Sequence, residues 1–281
     1  MSKMLCDREK GRAKSMEKIG FIGCGNMGGA LARAACKSGV PGNVVLANRT
    51  LAKAEALAGE LGCAVGSNQS IAQNCEWIFL GVKPQMMADM LAGIAPVLKA
   101  RQGGFVLVSM AAGLSCQSIA DMAGGDYPVI RIMPNTPAAI GQGVVQVCGR
   151  GVSRAQLDAC KAILAPAGLV DEIDEKLIDA ASCVSGCGPA FAYLFMEALA
   201  DGGVACGLPR EQALRYAAQM VAGSAEMVLQ SGRHPGQLKD AVCSPGGTTI
   251  QGVRALEANG FRSAAMEAVL AAYEKTLKLG K

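Results

Sequence analysis

A glycine-rich segment near residue 20 constrains the fold of this chain more than any other feature. Residues 19–32 contain a short apolar run, glycines in the order Gly-x-Gly-x-x-Gly, and then apolar residues at helical spacing. This pattern is typical of a strand, a tight turn and a helix whose free amides bind a dinucleotide pyrophosphate. A glycine turn by itself is common, but a second strand about twenty residues further on favours cofactor binding. The predicted cofactor-binding residues here are Ile22, Gly23, Cys24, Gly25, Asn26 and Met27.

Length and charge limit the class of protein. The 281 residues allow about two domains with buried cores. The formal net charge is only +4, and no basic run is interleaved with aromatic residues, so we expect a small-molecule substrate and no nucleic acid. Residues 1–17 mix charges and lack an apolar core, which argues against a signal peptide or a membrane span. We interpret them as a disordered or non-native extension.

The twelve cysteines are scattered singly along the chain. No CxxC pair occurs, and the single histidine, His234, has no ligand partner nearby in the sequence, so we predict no metal site. Free thiols, mostly buried, in a reducing cytoplasm are the preferred interpretation.

The end of the predicted second strand bears on the choice of cofactor. Val44–Ala47 is followed by Asn48, Arg49 and Thr50, where an enzyme that selects NADH usually places a carboxylate. A neutral side chain followed by a cation and a hydroxyl suits a 2′-phosphate, so NADPH is predicted, with NADH possible. The alternative is that Arg49 is a solvated surface charge.

Strands alternate with helices over residues 18–173, which predicts an α/β domain with a doubly wound sheet of the Rossmann type. Its ligand should lie at the carboxyl ends of the strands, where small or polar loops recur. The candidate cofactor-binding residues in these loops are Gly81, Val82, Lys83, Pro84, Met110, Ala111 and Ala112.

From residue 174 onwards the pattern is helical. The predicted helices carry wide faces of Ala, Met, Leu and Val, which is too much apolar surface for a small helical domain alone. We therefore predict that residues 174–281 form an all-α domain that buries these faces in a homodimer.

A second glycine loop precedes one of these helices. It offers two flexible glycines, two hydroxyls and predicted free amides at positions 247–249, which would suit a small carboxylate. A plain helix cap explains the loop equally well. The candidate substrate-binding residues are Ser244, Gly246, Gly247, Thr248 and Thr249.

These segments together resemble the pyrroline-5-carboxylate reductase family over residues 18–279. The resemblance is carried by residues 22–28, 82–84, 111–113, 131–137, 185–190 and, most specifically, 238–256. It implies NAD(P)H-dependent reduction of 1-pyrroline-5-carboxylate to L-proline, the last step of proline biosynthesis. It also implies a Rossmann domain, a helical domain that joins two subunits, and dimers that can assemble into a decamer.

The resemblance also implies roles for single residues. Thr50, Asn68 and Glu175 would contact the cofactor, although an exposed acidic residue is the local interpretation of Glu175. The chain departs from the family at Cys187, usually Ser, and at Ala241, where some members carry Asn.

The hypothesis for catalysis is that amides of the second loop hold the substrate carboxylate while the Thr249 hydroxyl contacts the ring nitrogen. His234, beside Pro235 in a predicted loop, is a less favoured acid. One rival is a β-hydroxyacid dehydrogenase, but the lysine expected after residues 185–190 is missing. The other rival is a protein that senses NADP without catalysis.

Overall fold

The computed structural model describes residues 18–39 and 41–278, in which an eight-stranded sheet is followed by helices. The strands are β1 Ile19–Ile22, β2 Val44–Ala47, β3 Ala64–Val65, β4 Trp77–Leu80, β5 Val106–Ser109, β6 Val129–Pro134, β7 Gly143–Arg150 and β8 Gly168–Glu172. The helices are α1 Asn26–Ser38, α2 Leu51–Leu61, α3 Asn68–Asn74, α4 Met87–Ala100, α5 Cys116–Ala123, α6 Arg154–Leu164, α7 Glu175–Ser185, α8 Gly188–Ala205, α9 Arg210–Ser231, α10 Pro235–Ala241, α11 Thr248–Ala258 and α12 Phe261–Thr276.

The sheet has the order β3-β2-β1-β4-β5-β6-β7-β8. The first six strands are parallel, β7 runs antiparallel to β6, and β8 runs parallel to β7. The chain order reverses between β1 and β4, and ligands of doubly wound sheets bind at the carboxyl side of such a switch point. The predicted Rossmann-type sheet is therefore confirmed.

Helices cover both faces of the sheet, which explains why its central strands are continuously apolar. Phe21 and Phe79 point to one face, where they stack at 4.5 Å between ring centroids and join a core with α1, α2 and α6. Ile22 and Leu80 point to the other face and join α3, α4 and α5. The apolar stripe of α4 buries Met87, Leu91, Ile94 and Leu98 against this face, whereas Met90 is only half-buried.

The described residues form two compact units, which divide between Ser182 and Cys183 within α7. The first unit contains the sheet and also the described residues from Thr276 onwards, and the second unit ends at Lys275. In the second unit, α8 and α9 pack on each other around small residues such as Ala200, Ala213 and Ala217. Large apolar side chains of this unit remain exposed, among them Tyr193, Leu194, Tyr216, Met220, Met227, Leu229, Met266 and Leu270.

One helical stretch, Glu175–Ala205, is long and apolar enough to cross a membrane by length and composition. The chain breaks this stretch into α7 and α8 at Gly186 and Cys187. The exposed carboxylates of Glu197 and Asp201 lie on α8, and Asp201 pairs with Arg210. A break and charges in the middle of a span are costly in a bilayer, so these features favour a protein interface.

We predict that Gly28→Ala lowers the free energy of unfolding by about 1–3 kcal/mol, the usual cost of overpacking. A Cβ at this position would lie 2.1 Å from the carbonyl oxygen of Gly23. The matched control is Gly59→Ala in α2, where a Cβ has no neighbour within 4 Å. Because alanine is the better helix residue, this control should raise stability by about 0.5–1 kcal/mol. Urea denaturation followed by circular dichroism checks both, and equal midpoints would contradict the prediction.

Candidate active site

The turn after β1 packs backbone against backbone. Gly23 has φ +100°, a conformation that favours glycine. A Cβ added to Gly28 would lie 2.1 Å from the Gly23 carbonyl oxygen, and a Cβ added to Gly81 would lie 2.4 Å from it. The absence of side chains therefore lets α1 begin directly beneath the strand end and lets the loop after β4 touch it. Gly23 therefore forms the tight turn that the sequence pattern predicted.

Gly25 is the N-cap of α1, and a Cβ placed on it would meet nothing within 4 Å. Because glycine has no side chain to cap the helix, the amides of Asn26 and Met27 face this open space without side-chain competition. An uncapped helix start beside open space fits a pyrophosphate group, which accepts several N–H bonds at once.

Cys24 and Asn48 hold the turn in place. The Cys24 amide donates to Asn48 Oδ1 at 3.1 Å, and its thiol contacts the Ala47 carbonyl oxygen at 3.5 Å. Burial raises the pKa of Cys24 to about 11, with a smaller contribution from Cys63. The thiol therefore stays neutral at physiological pH and adds no negative charge beside the amides of Asn26 and Met27.

The loop after β2 presents its side chains to solvent. Asn48 Nδ2 donates to the Thr50 carbonyl oxygen at 2.9 Å, and Thr50 is the N-cap of α2 but does not use its hydroxyl as a cap. Arg49 is exposed, and its Nη1 lies 4.0 Å from Met86 Sδ, next to the loop after β4. A cation and a hydroxyl are thus available together near the switch point.

The other predicted cofactor-binding loops follow β4, which pairs with β1 in the sheet, and β5, which pairs with β4. Ile22, Leu80 and Ser109 are register partners, so the loops that begin at Gly23, Gly81 and Met110 leave the sheet at one edge. Lys83 is exposed and precedes Pro84, which begins a short 3₁₀ helix. Ala111 is buried, and its amide donates to Ser109 Oγ at 3.3 Å. Asn68 begins α3 after its N-cap, Ser67.

Glu175 lies at the start of α7 and is about one third exposed. Its Oε1 accepts a hydrogen bond from the Cys116 amide at 2.7 Å and lies 3.9 Å from Arg131 Nη1. The local interpretation as a simple exposed acid is therefore wrong, since the carboxylate caps α5. Sequence reasoning also missed Arg131, which is buried on β6 and donates to Asp179 Oδ1 at 2.5 Å. A charged residue inside an apolar strand was the available signal.

The second glycine loop belongs to the other compact unit. Gly246 has φ +70°, and Gly247 is the N-cap of α11. The Gly247 amide donates to the Ser244 carbonyl oxygen at 3.0 Å, which corrects the expectation of a free amide there. The turn uses that donor itself. Thr248 and Thr249 begin the helix and are exposed, so their amides and hydroxyls face solvent.

The predicted loop around His234 ends at this residue, because Pro235–Ala241 forms α10. His234 is the N-cap of this helix, and its Nδ1 accepts a hydrogen bond from the Gly236 amide at 3.1 Å. Pro235 at the first helical position promotes this start. The capping role gives the imidazole a structural function.

Two family models match the chain. One is described as pyrroline-5-carboxylate reductase dimerisation and matches residues 175–279, and the other is described as NADP oxidoreductase coenzyme F420-dependent and matches residues 18–113. These ranges correspond to the helical half and to the nucleotide-binding half of the sheet.

Whole-length relatives agree. The pyrroline-5-carboxylate reductase of Escherichia coli (strain K12) is 43% identical and covers 94% of this chain and 99% of its own. That of Glycine max is 42% identical, with 93% and 95% covered. The structure of Plasmodium falciparum pyrroline carboxylate reductase with NADP bound is 34% identical, has a TM-score of 0.82, and covers 95% of this chain and 99% of its own. Identity at this level over nearly the whole length, on a shared fold, shows that the chain belongs to the pyrroline-5-carboxylate reductase family.

Proposed function

We propose that this protein reduces 1-pyrroline-5-carboxylate to L-proline with NADPH, the last step of proline biosynthesis. The observation that carries the proposal is 43% identity to a named reductase over 94% of the chain. The fit of the first glycine turn to a pyrophosphate supports it independently, because an uncapped helix start with open space at Gly25 has an anion as its natural ligand.

The first unit would hold the cofactor. We assign the pyrophosphate to the turn from Ile22 to Met27, and the 2′-phosphate to Arg49 with the Thr50 hydroxyl. A guanidinium binds a phosphate through charge-assisted hydrogen bonds, and the neutral Asn48 does not repel it. The loops after β4 and β5 line the same sheet edge, so their small residues would contact the rest of the nucleotide.

The second unit would hold the substrate. The exposed amides of Thr248 and Thr249 begin a helix, where the dipole favours a carboxylate. Gly246 and Gly247 leave room for the ligand to approach the backbone, and Ser244 adds a hydroxyl nearby. Under this assignment the loop binds substrate as well as starting α11.

The reaction needs a positioned, protonated imine. When bound, NADPH supplies a hydride to the carbon of the C=N bond. The chain would orient the ring by its carboxylate, and the N–H of the protonated imine would donate to the Thr249 hydroxyl oxygen, which stabilises the cation that accepts the hydride. Positioning then contributes more than acid–base catalysis, and the mechanism assigns no role to His234.

Membership of the reductase family also supports a proposal for the assembly and the location of this protein. The large apolar side chains that the helical unit leaves exposed support a homodimer, because extensive apolar surface on a soluble chain is usually covered by a partner. We propose that such dimers assemble into a decamer in the cytoplasm. The absence of a CxxC pair and the free thiols of the described residues agree with a reducing compartment.

Substrate choice tests the function against its rivals. We expect NADPH oxidation, followed by absorbance, with 1-pyrroline-5-carboxylate and not with β-oxo acids, and we expect no reduction of NADP⁺ with β-hydroxy acids. Turnover with hydroxy acids alone would indicate a β-hydroxyacid dehydrogenase. NADPH binding without turnover of either class would indicate a sensing protein.

We predict that Thr249→Ala lowers kcat for 1-pyrroline-5-carboxylate by about 10–100-fold, as expected for the loss of one hydrogen bond to a charged group. The dissociation constant for NADPH, measured by fluorescence titration, should stay within about twofold because Thr249 is not assigned to the cofactor. Thr249→Ser keeps the hydroxyl and should retain most of the activity. Unchanged kcat in the alanine variant would remove Thr249 from the mechanism.

We predict that Arg49→Asp lowers the ratio of kcat/KM for NADPH to that for NADH by at least about tenfold, because a carboxylate repels the 2′-phosphate. Lys53→Asp is the matched control, since Lys53 is also exposed and lies in the first turn of α2, four residues after Arg49. It should leave the ratio nearly unchanged. Steady-state kinetics with both cofactors measure the effect. Equal shifts in the two variants would indicate a general charge effect instead of recognition by Arg49.

A further inference from the structure

A second group of chemically reactive side chains lies in the first unit. The sulfur atoms of Cys116 and Cys148 and a carboxylate oxygen of Glu175 all lie within 4.8 Å of one another. Among the residues that the structure describes, no other group of three or more His, Cys, Asp or Glu ligand atoms meets this criterion. The reductase proposal assigns nothing to either thiol.

Three separate elements bring these residues together. Cys116 begins α5, Cys148 lies on β7, and Glu175 begins α7. The β6–β7 register pairs Cys148 with Arg131, which places Cys148 on the sheet face that α5 covers. The hydrogen bond from the Cys116 amide to Glu175 Oε1, at 2.7 Å, then fixes the carboxylate beside the first thiol.

Burial favours the two sulfur atoms as ligands. Cys116 is 0% exposed and Cys148 is 6% exposed, so water does not compete strongly for either sulfur. The carboxylate of Glu175 is about one third exposed, which leaves one side of the group open to solvent. An ion and a water ligand can enter from this side.

The charges around the group are compatible with a divalent cation. Arg131 lies 3.9 Å from Glu175 Oε1, but it also pairs more closely with Asp179, whose negative charge offsets it. Two thiolates and a carboxylate would place three negative charges around an ion of charge +2. A carboxylate has two oxygen atoms, so one can bind a metal while the other keeps the hydrogen bond from the Cys116 amide.

We propose that Cys116, Cys148 and Glu175 form a binding site for a thiophilic divalent ion of the zinc class. Sulfur donors favour zinc over magnesium or calcium, and a water molecule would complete four-coordinate geometry. The ion would tie the starts of α5 and α7 to β7, and it would therefore stabilise the first unit. The proposed reaction assigns no step to either thiol, so the two cysteines can be tested for zinc binding apart from the reductase activity.

Zinc titration of the full-length, tag-free, reduced protein against a chromophoric chelator tests the proposal. We expect one zinc ion per chain, and a loss of affinity of at least about 100-fold in Cys116→Ser and in Cys148→Ser, since even outer-shell changes cost roughly 10–100-fold. Glu175→Gln should weaken binding less. The control is Cys160→Ser, because Cys160 is equally buried but belongs to the core on the other sheet face.

X-ray absorption of zinc bound to the unmodified chain gives a test that does not depend on the folding of variants. We expect two sulfur ligands at about 2.3 Å and oxygen ligands at about 2.0–2.2 Å. A zinc coordination shell without sulfur would overturn the proposal. So would a titration that finds no stoichiometric zinc, or one in which both cysteine variants keep the affinity of the unmodified chain. A Cys116–Cys148 disulfide in peptide mass spectra, formed in air in place of zinc binding, would also overturn it.

Discussion

The first half of this protein depends on close backbone contact at the end of β1. The carbonyl oxygen of Gly23 lies against Gly28 and Gly81 at distances that leave no room for a Cβ. This contact places the start of α1 at the strand end, where its amides face open space. The same absence of side chains thus allows the packing of helix on strand and the proposed approach of a phosphate.

The sheet edge gathers the proposed nucleotide contacts because parallel strands in register end together. Ile22, Leu80 and Ser109 are aligned, so three loops leave the sheet side by side. Beyond them, the buried Arg131 connects β6 to α7 through Asp179. Removing Asp179 would leave the buried guanidinium without this partner, a change that usually costs about 3–5 kcal/mol in a buried pair. The start of α7 is also where Glu175 caps α5.

Several elements were predictable because local and global preferences agree. The bounds of β2 match the prediction, since a fully apolar run is bounded by turn residues. The short helices α5 and α10 were not predicted, because seven or eight residues give too little periodicity. The prediction that the Gly247 amide is free was wrong for a different reason. This amide bonds the Ser244 carbonyl oxygen in a turn whose backbone geometry the residue types do not specify.

The sequence alone determined the doubly wound class, the glycine turn, the helical second half and the family, because these depend on periodicity and on residues close together in the chain. It could not place Cys116, Cys148 and Glu175 side by side. The spacing rules for metal ligands consider neighbours along the chain, and the Cys116–Glu175 hydrogen bond spans 59 positions. Only strand register and the packing of α5 and α7 on one sheet face brought these groups within 4.8 Å. Tertiary structure decided that juxtaposition because it arises from contacts between elements, which no local pattern encodes.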